Sequence, residues 1–179
     1  MTVTGDLDQY KAWVGRSQSS DDIAAPFPPR ALIATLDSGD ATPQPGDALP
    51  PCWHWLYFLE TAPASQIGPD GHAKRGPFLP PVPLPRRMWA GSRLQFPGTI
   101  RIGDEVRRDS EILSVEPKSG SSGQMAFVTV RHRISAAGKL AVVEEHDIVY
   151  RQAAQPGDKA QSANATPKQA PTDTTWRKP

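Results

Sequence analysis

Two guanidiniums and an indole, Arg86, Arg87 and Trp89, stand directly after a run of spaced prolines, Pro80-Pro81-Val82-Pro83-Leu84-Pro85. Proline fixes φ and removes a backbone donor, so this run reads as stiff loop, neither helix nor central strand. Beyond Gly91 the chain enters an expected short strand at Arg93-Leu94-Gln95-Phe96. A stiff loop that holds guanidiniums and a ring just ahead of a sheet suits the binding of an anion and a ring. The same residues would also serve as a solvated loop, since arginine is usually exposed. Of the four histidines, His54 sits inside an apolar run, where it reads as a satisfied core histidine or as an acid/base. His72 reads as solvated, like Lys74 and Arg75 after it. His132 and His146 fall on neighbouring expected strands beside Arg131, Arg133, Glu144 and Glu145, a pattern of cross-strand polar pairing.

These residues need elements to position them. Residues 6–15 read as a short amphipathic helix, capped by Asp6 and stopped by Gly15, with Leu7, Tyr10, Trp13 and Val14 on one face. Ser20-Asp21-Asp22 could cap a further turn. A helix is expected from Pro29 to Asp37, with an apolar stripe of Leu32, Ile33 and Leu36. The run Pro51 to Glu60 is apolar all round and lacks β-branched residues, which predicts a buried helix. Strands are expected at 93–96, 99–102, 105–116, 124–135 and 140–152. In 124–135, Ala126, Val128, Val130, His132 and Ile134 share one face by strict alternation. The 105–116 segment alternates less cleanly. Ala136-Ala137-Gly138-Lys139 is a hairpin turn. Helices followed by an antiparallel meander predict an α+β domain, a sheet wrapped around a buried helix. Trp89 could wall a ligand channel or be plain core.

Composition narrows the class. At 179 residues the chain suits one domain with a real core, and 20 prolines imply long loops or a tail. Residues 153–179 lack periodicity and read as disordered linker or tail, leaving 1–152 as the domain. A net charge of +1 argues against bulk binding of nucleic acid. The single cysteine, Cys52, permits no intrachain disulfide and no Cys-based zinc site, and reads as a small buried hydrophobe. No apolar run is long enough to span a bilayer, so a soluble, cytoplasmic protein without membrane association is expected.

Several blocks taken together resemble a known family. They are Pro50-Pro51-Cys52-Trp53-His54-Trp55, Gly68-Pro69-Asp70-Gly71-His72, Phe78 through Pro85 with Arg86-Arg87-Met88-Trp89-Ala90-Gly91, Gly103-Asp104-Glu105-Val106, and Asp147-Ile148-Val149-Tyr150-Arg151. The chain resembles the N-terminal half of the mesaconyl-CoA (3-methylfumaryl-CoA) hydratases, which belong with the MaoC-like and fatty-acid-synthase-type dehydratases. The resemblance implies one half of a double hot dog that reversibly adds water to a short branched enoyl-CoA thioester, with the thioester as substrate and without metal or redox cofactor. It implies substrate or CoA contacts at Arg86, Arg87, Trp89, Gly91 and Arg93. The catalytic signature of the family lies in its other half. Ser38-Gly39-Asp40-Ala41-Thr42-Pro43-Gln44-Pro45 reads as a degenerate copy, keeping Asp40 but placing Pro45 where a histidine belongs. Proline moves no proton, so only Asp40 and His54 remain as catalytic candidates, and a homodimer or a catalytic hot-dog partner is expected. The chain ends about where the family's interdomain linker would meet that half, which implies a fragment or a split subunit. A non-catalytic acyl-thioester-binding subunit and a thioesterase are the other readings.

Overall fold

The alternation in 124–135 builds the centre of the molecule. The computed structural model describes residues 6–68, 71–120 and 123–153; the expected tail from 154 onward lies outside them. Strands β1 (Ser17–Ile23), β2 (Arg86–Gln95), β3 (Glu105–Gly120), β4 (Gly123–Ala136) and β5 (Lys139–Arg151) form one sheet, in the order β1-β3-β4-β5-β2. Every pairing is antiparallel. β4 lies in the middle, so its inward side chains are the most completely covered: Ala126, Val128, Val130 and Ile134 are all buried.

Two bulges explain where the alternation fails. Between Ile112 and Ser114 the β3–β4 register shifts, so Leu113 is extra and both Ile112 and Val115 point inward against Val130 and Val128. Pro117 sits within β3 beyond the last residue paired with β1, on a free edge where its missing N–H costs no ladder bond. The opposite face is charged. There Arg93 binds Asp147 at 2.7 Å and Glu145 at 3.0 Å, and Arg131 reaches Glu145 at 3.0 Å.

The inner face is covered in two blocks. At one end Leu7, Val82 and Leu84 pack on Ile112, Val115, Ala126, Val128 and Tyr150. At the other, Leu49, Tyr57, Phe58, Ile100 and Ile102 pack on Val106, Ile134, Ala136 and Val142. The proline run is loop, neither helix nor strand, as expected: Pro80, Val82 and Leu84 are buried and Pro81, Pro83 and Pro85 are exposed. Its carbonyls are not left to water. Arg75 donates to the carbonyls of Val82 (2.7 Å), Leu84 (2.7 Å) and Pro85 (3.1 Å), so Arg75 laces the loop down rather than being solvated.

Several local expectations change. The buried helix expected over Pro51 to Glu60 is one 3-10 turn, Trp53–Leu56, followed by extended chain. Cys52 and Phe58 both take positive φ, at 71° and 57°. The Phe58 N–H donates to Asp22 Oδ2 at 2.7 Å, and the Tyr57 hydroxyl donates to the Ala25 carbonyl at 2.8 Å. These partners from the far end of the chain hold the segment out of a helical ladder. Residues 20–22, read as a capping turn, belong to β1. The first helix is 3-10, Leu7–Trp13, still capped by Asp6, which accepts from the Asp8 N–H at 2.9 Å. α1 (Phe27–Leu36) forms near its expected place but only Pro29 is buried. Residues 99–102 lie outside the sheet, tied by a single bridge between Ala48 and Arg101, and β2 begins seven residues before the expected Arg93. Among the described residues no helix is long and apolar enough to cross a membrane.

Gly98 marks where this loop crosses β5. A Cβ there would lie 2.7 Å from the Leu140 carbonyl oxygen and 3.2 Å from Ala141 Cα, both backbone atoms. Gly98→Ala is therefore expected to lower the unfolding free energy by about 1–2 kcal/mol, as overpacking does. A melting temperature within a degree of the parent would contradict it.

Candidate functional site

A polar row crosses the apolar face between the two clusters. The register sets Ser110 of β3 beside His132 of β4, and His132 beside Glu144 of β5. One row along, Val130 is beside His146, and His146 is beside Ser92 of β2. The segment above the sheet brings His54 and Trp55 down onto Glu144. His54 Nε2 donates to Glu144 Oε2 at 3.3 Å and Trp55 Nε1 donates to the same oxygen at 3.0 Å. Ser92 Oγ donates to Glu144 Oε1 at 2.8 Å and itself accepts from Trp89 Nε1 at 3.1 Å. Ser110 Oγ and His132 Nδ1 are 2.8 Å apart, and the His132 and His146 rings meet edge-on with centroids 6.2 Å apart.

The electrostatics follow from burial. Burial alone would raise the Glu144 pKa, but the hydrogen bonds from His54, Trp55 and Ser92 outweigh it and hold it at about 2. Glu144 is thus a fixed carboxylate with both oxygens engaged, unsuited to delivering a proton near neutrality. His132 goes the other way for a base: burial first, then the positive charge of Arg108, push its pKa down to about 4. His146 is lowered as well, chiefly by burial. Both rings are neutral at pH 7.

A cavity of about 390 Å³ opens over this row, walled by His54, Trp55, Phe58 and Trp89 on one side and by Arg108 and His132 on the other. A larger one, about 760 Å³, shares Phe58, Arg108 and His132 with it and runs out past Phe78 and Arg87. The first has the dimensions and the mix of aromatic walls and few polar groups expected of a small-ligand pocket.

The residues singled out in the sequence are divided by this geometry. Arg87 and Trp89 lie on the inner face and line cavities. Trp89 is 64% exposed, so the alternative of a core tryptophan is overturned. Arg86 and Arg93 lie on the outer face, opposite Arg151 and Glu145. Arg86 is outward by simple alternation with Arg87; for Arg93 the cause is the bulge between Trp89 and Gly91, which inverts the inward–outward parity of β2. Arg93 is held there by two carboxylates, with Asp147 foremost in raising its pKa. Gly91 follows the bulge and contributes no side chain. Asp40 sits on an exposed loop and lines none of these cavities. His54 is buried and hydrogen-bonded, within the cavity wall. Ser110, Arg108, His132, Glu144 and His146 were not singled out as ligand contacts. Their signal was present all the same: each has the same inward parity as its apolar neighbours Ile112, Ile134, Val130, Val142 and Ile148.

Comparison with known proteins follows the same line. The family described as Htd2, hydroxyacyl-thioester dehydratase type 2, matches residues 52–178. Mesaconyl-C(4)-CoA hydratase of Chloroflexus aurantiacus is 45% identical over 147 residues, which is 82% of this chain and 52% of that protein. Among solved structures, the ChsH1-ChsH2 complex from Mycobacterium tuberculosis aligns over 83% of this chain and 95% of that one, with TM-score 0.57 and 14% identity. R-hydratase PhaJ1 from Pseudomonas aeruginosa aligns over 82% and 91%, with TM-score 0.43 and 16% identity. The fold is a hot dog. Within that class, the chain belongs to the type 2 hydroxyacyl-thioester dehydratase family. It spans about half the length of the curated relative that it matches.

Proposed function

We propose that this chain is the acyl-binding half of a hydro-lyase that reversibly adds water to a short branched enoyl-CoA thioester of the mesaconyl-CoA (3-methylfumaryl-CoA) type. Its second hot dog, in a catalytic partner chain, supplies the acid and base. Hydration places a hydroxyl on the β-carbon and a proton on the α-carbon, and the electron pair passes through an enolate whose oxygen needs donors. No redox change occurs, so the step needs no redox cofactor.

The single observation behind this division of labour is the state of the polar row. Its one carboxylate, Glu144, is locked as an acceptor of three hydrogen bonds. A carboxylate with a pKa of about 2 neither abstracts nor returns a proton well at pH 7. Asp40, in the degenerate signature, is exposed and lines neither cavity. What the row offers is a shaped pocket with aromatic walls, Trp89 in its lining and Arg87 in that of the adjoining cavity. The 45% identity to a mesaconyl-C(4)-CoA hydratase supports the substrate class.

The test is loss of enoyl-thioester absorbance on mixing mesaconyl-CoA with the purified chain, alone and then with a hot-dog chain carrying the Ser-Gly-Asp-x-Asn-Pro-x-His signature. The expected result is no turnover alone and hydroxyacyl-CoA formation with the partner. Turnover by a monomeric chain alone would place an acid/base in this half. Release of free thiol would make it a thioesterase.

A further inference from the structure

Arg108 is the anomaly of the cavity. It points inward from β3, beside Ser20 of β1 and Ile134 of β4. Its guanidinium lies 5.0 Å from the centroid of the Phe58 ring, and its Nε is buried without a hydrogen-bond partner. Among the described residues it forms no ion pair, whereas Arg93, Arg107 and Arg131 each hold a carboxylate within 3.2 Å. Glu144, the carboxylate of the neighbouring row, has both oxygens occupied by other donors. Glu60 and Glu144 act on Arg108 only through space, and burial outweighs them in lowering its pKa. Guanidinium stays charged regardless, so a half-buried positive charge faces two cavities without a counter-ion. Burying a charge without a partner is costly, and an anion brought by a ligand would offset that cost.

Resting on the proposed hydratase reading, we infer that Arg108 is a specificity-determining residue, the receptor for the free carboxylate of a dicarboxylic acyl-CoA. A guanidinium fork matches a carboxylate bidentately. The lining includes Phe58, Trp55, Trp89 and the neutral imidazoles of His132 and His146, and its one carboxylate, Glu144, is already taken up by three donors, so Arg108 is the charge left to meet a negative group. The paired phosphates of CoA carry more charge than one arginine in an aromatic pocket neutralises. In a mesaconyl thioester attached at C(4), the free carboxylate sits on the carbon that receives the hydroxyl. Holding it would therefore orient the reacting carbon as well as select the substrate.

The experiment compares two esters with the same CoA: mesaconyl-C(4)-CoA, and 3-methylcrotonyl-CoA, in which a methyl replaces the carboxylate. Affinity is measured by calorimetry and, in the assembled protein, kcat/KM by absorbance, for the parent, Arg108→Met and Arg108→Lys. In Arg108→Met, mesaconyl-C(4)-CoA should lose about 100-fold while 3-methylcrotonyl-CoA changes less than about threefold, as expected when a buried charge pair loses one member. Arg108→Lys, which keeps the charge, should recover part of the loss and guards against a Met variant that does not fold. Equal losses for both esters would assign Arg108 to the CoA phosphates or to the fold and overturn the inference. So would an unchanged ratio in both variants. A parent that binds and hydrates neither ester overturns the hydratase reading first, and the inference with it.

Discussion

Glu144→Leu is expected to lower the unfolding free energy at pH 7 by about 3–4 kcal/mol, a large share of a domain's stability. The carboxylate is 4% exposed and accepts from His54, Trp55 and Ser92. Leucine fills a similar volume, so the loss is not a cavity effect. It arises chiefly because the His54 N–H keeps its burial and loses its acceptor, at roughly 1–3 kcal/mol for an unsatisfied group, while the Trp55 N–H, on a half-exposed ring, loses a charge-assisted bond. Ser92 suffers less, because it still accepts from Trp89. Glu144→Gln separates the explanations. The amide oxygen can take the place of Oε2, and the amide nitrogen can donate to Ser92 Oγ, so this variant should cost only about 1–2 kcal/mol. Urea unfolding of the three proteins gives both numbers. Equal losses for Leu and Gln would mean that the charge matters, and the hydrogen bonds do not. The carboxylate also ties the 53–58 segment to the sheet, so its loss should loosen the wall of the cavity.

The part of this site that could be read from sequence is the part governed by strict alternation. Val128, Val130 and Ile134 announce the buried face of β4, and His132 shares their parity. Tyr150 and Ile148 do the same for His146 and Glu144 on β5. Reading these polar residues as cross-strand pairs gives their neighbours correctly, and the cover over the sheet turns the same pairs into a cavity floor. What alternation cannot carry across is a bulge. Arg87 and Arg93 are six residues apart and would share a face in a regular strand, yet the shift between Trp89 and Gly91 sends Arg93 outward to Asp147. Long-range bonds are equally invisible. The run from Pro51 to Glu60 has helical composition, and it is Asp22 and Ala25, more than 30 residues earlier, that capture Phe58 and Tyr57. β1 escaped for a related reason: Ser17–Ile23 is polar, because an edge strand whose residues are mostly exposed needs few apolar side chains.

The second large effect concerns acid stability. His132 has its pKa depressed to about 4 in the folded protein, by burial and by Arg108. In the unfolded chain it titrates at about 6.5. Between those values the unfolded state binds a proton that the folded state refuses, so stability rises with pH across the window. The full contribution is present above about pH 6.5 and is lost progressively down to pH 4, to a total of about 3 kcal/mol. His146, also lowered, acts in the same direction. Glu144 adds a separate loss further down: its folded pKa of about 2 lies below the ordinary carboxylate value, so its contribution holds above roughly pH 4.5 and disappears toward pH 2. His132→Gln removes the titrating ring while keeping a side chain able to bond Ser110. Its stability should change much less than that of the parent between pH 6.5 and 4.5, and should converge on the parent's acid loss below that. Denaturant unfolding at half-unit pH steps measures both slopes. A variant slope as steep as the parent's would show that His132 keeps an ordinary pKa in the folded protein and is charged below about pH 6.5. The cavity would then carry two positive groups, Arg108 and His132, and a preference for dianionic ligands would follow in place of the single carboxylate inferred here.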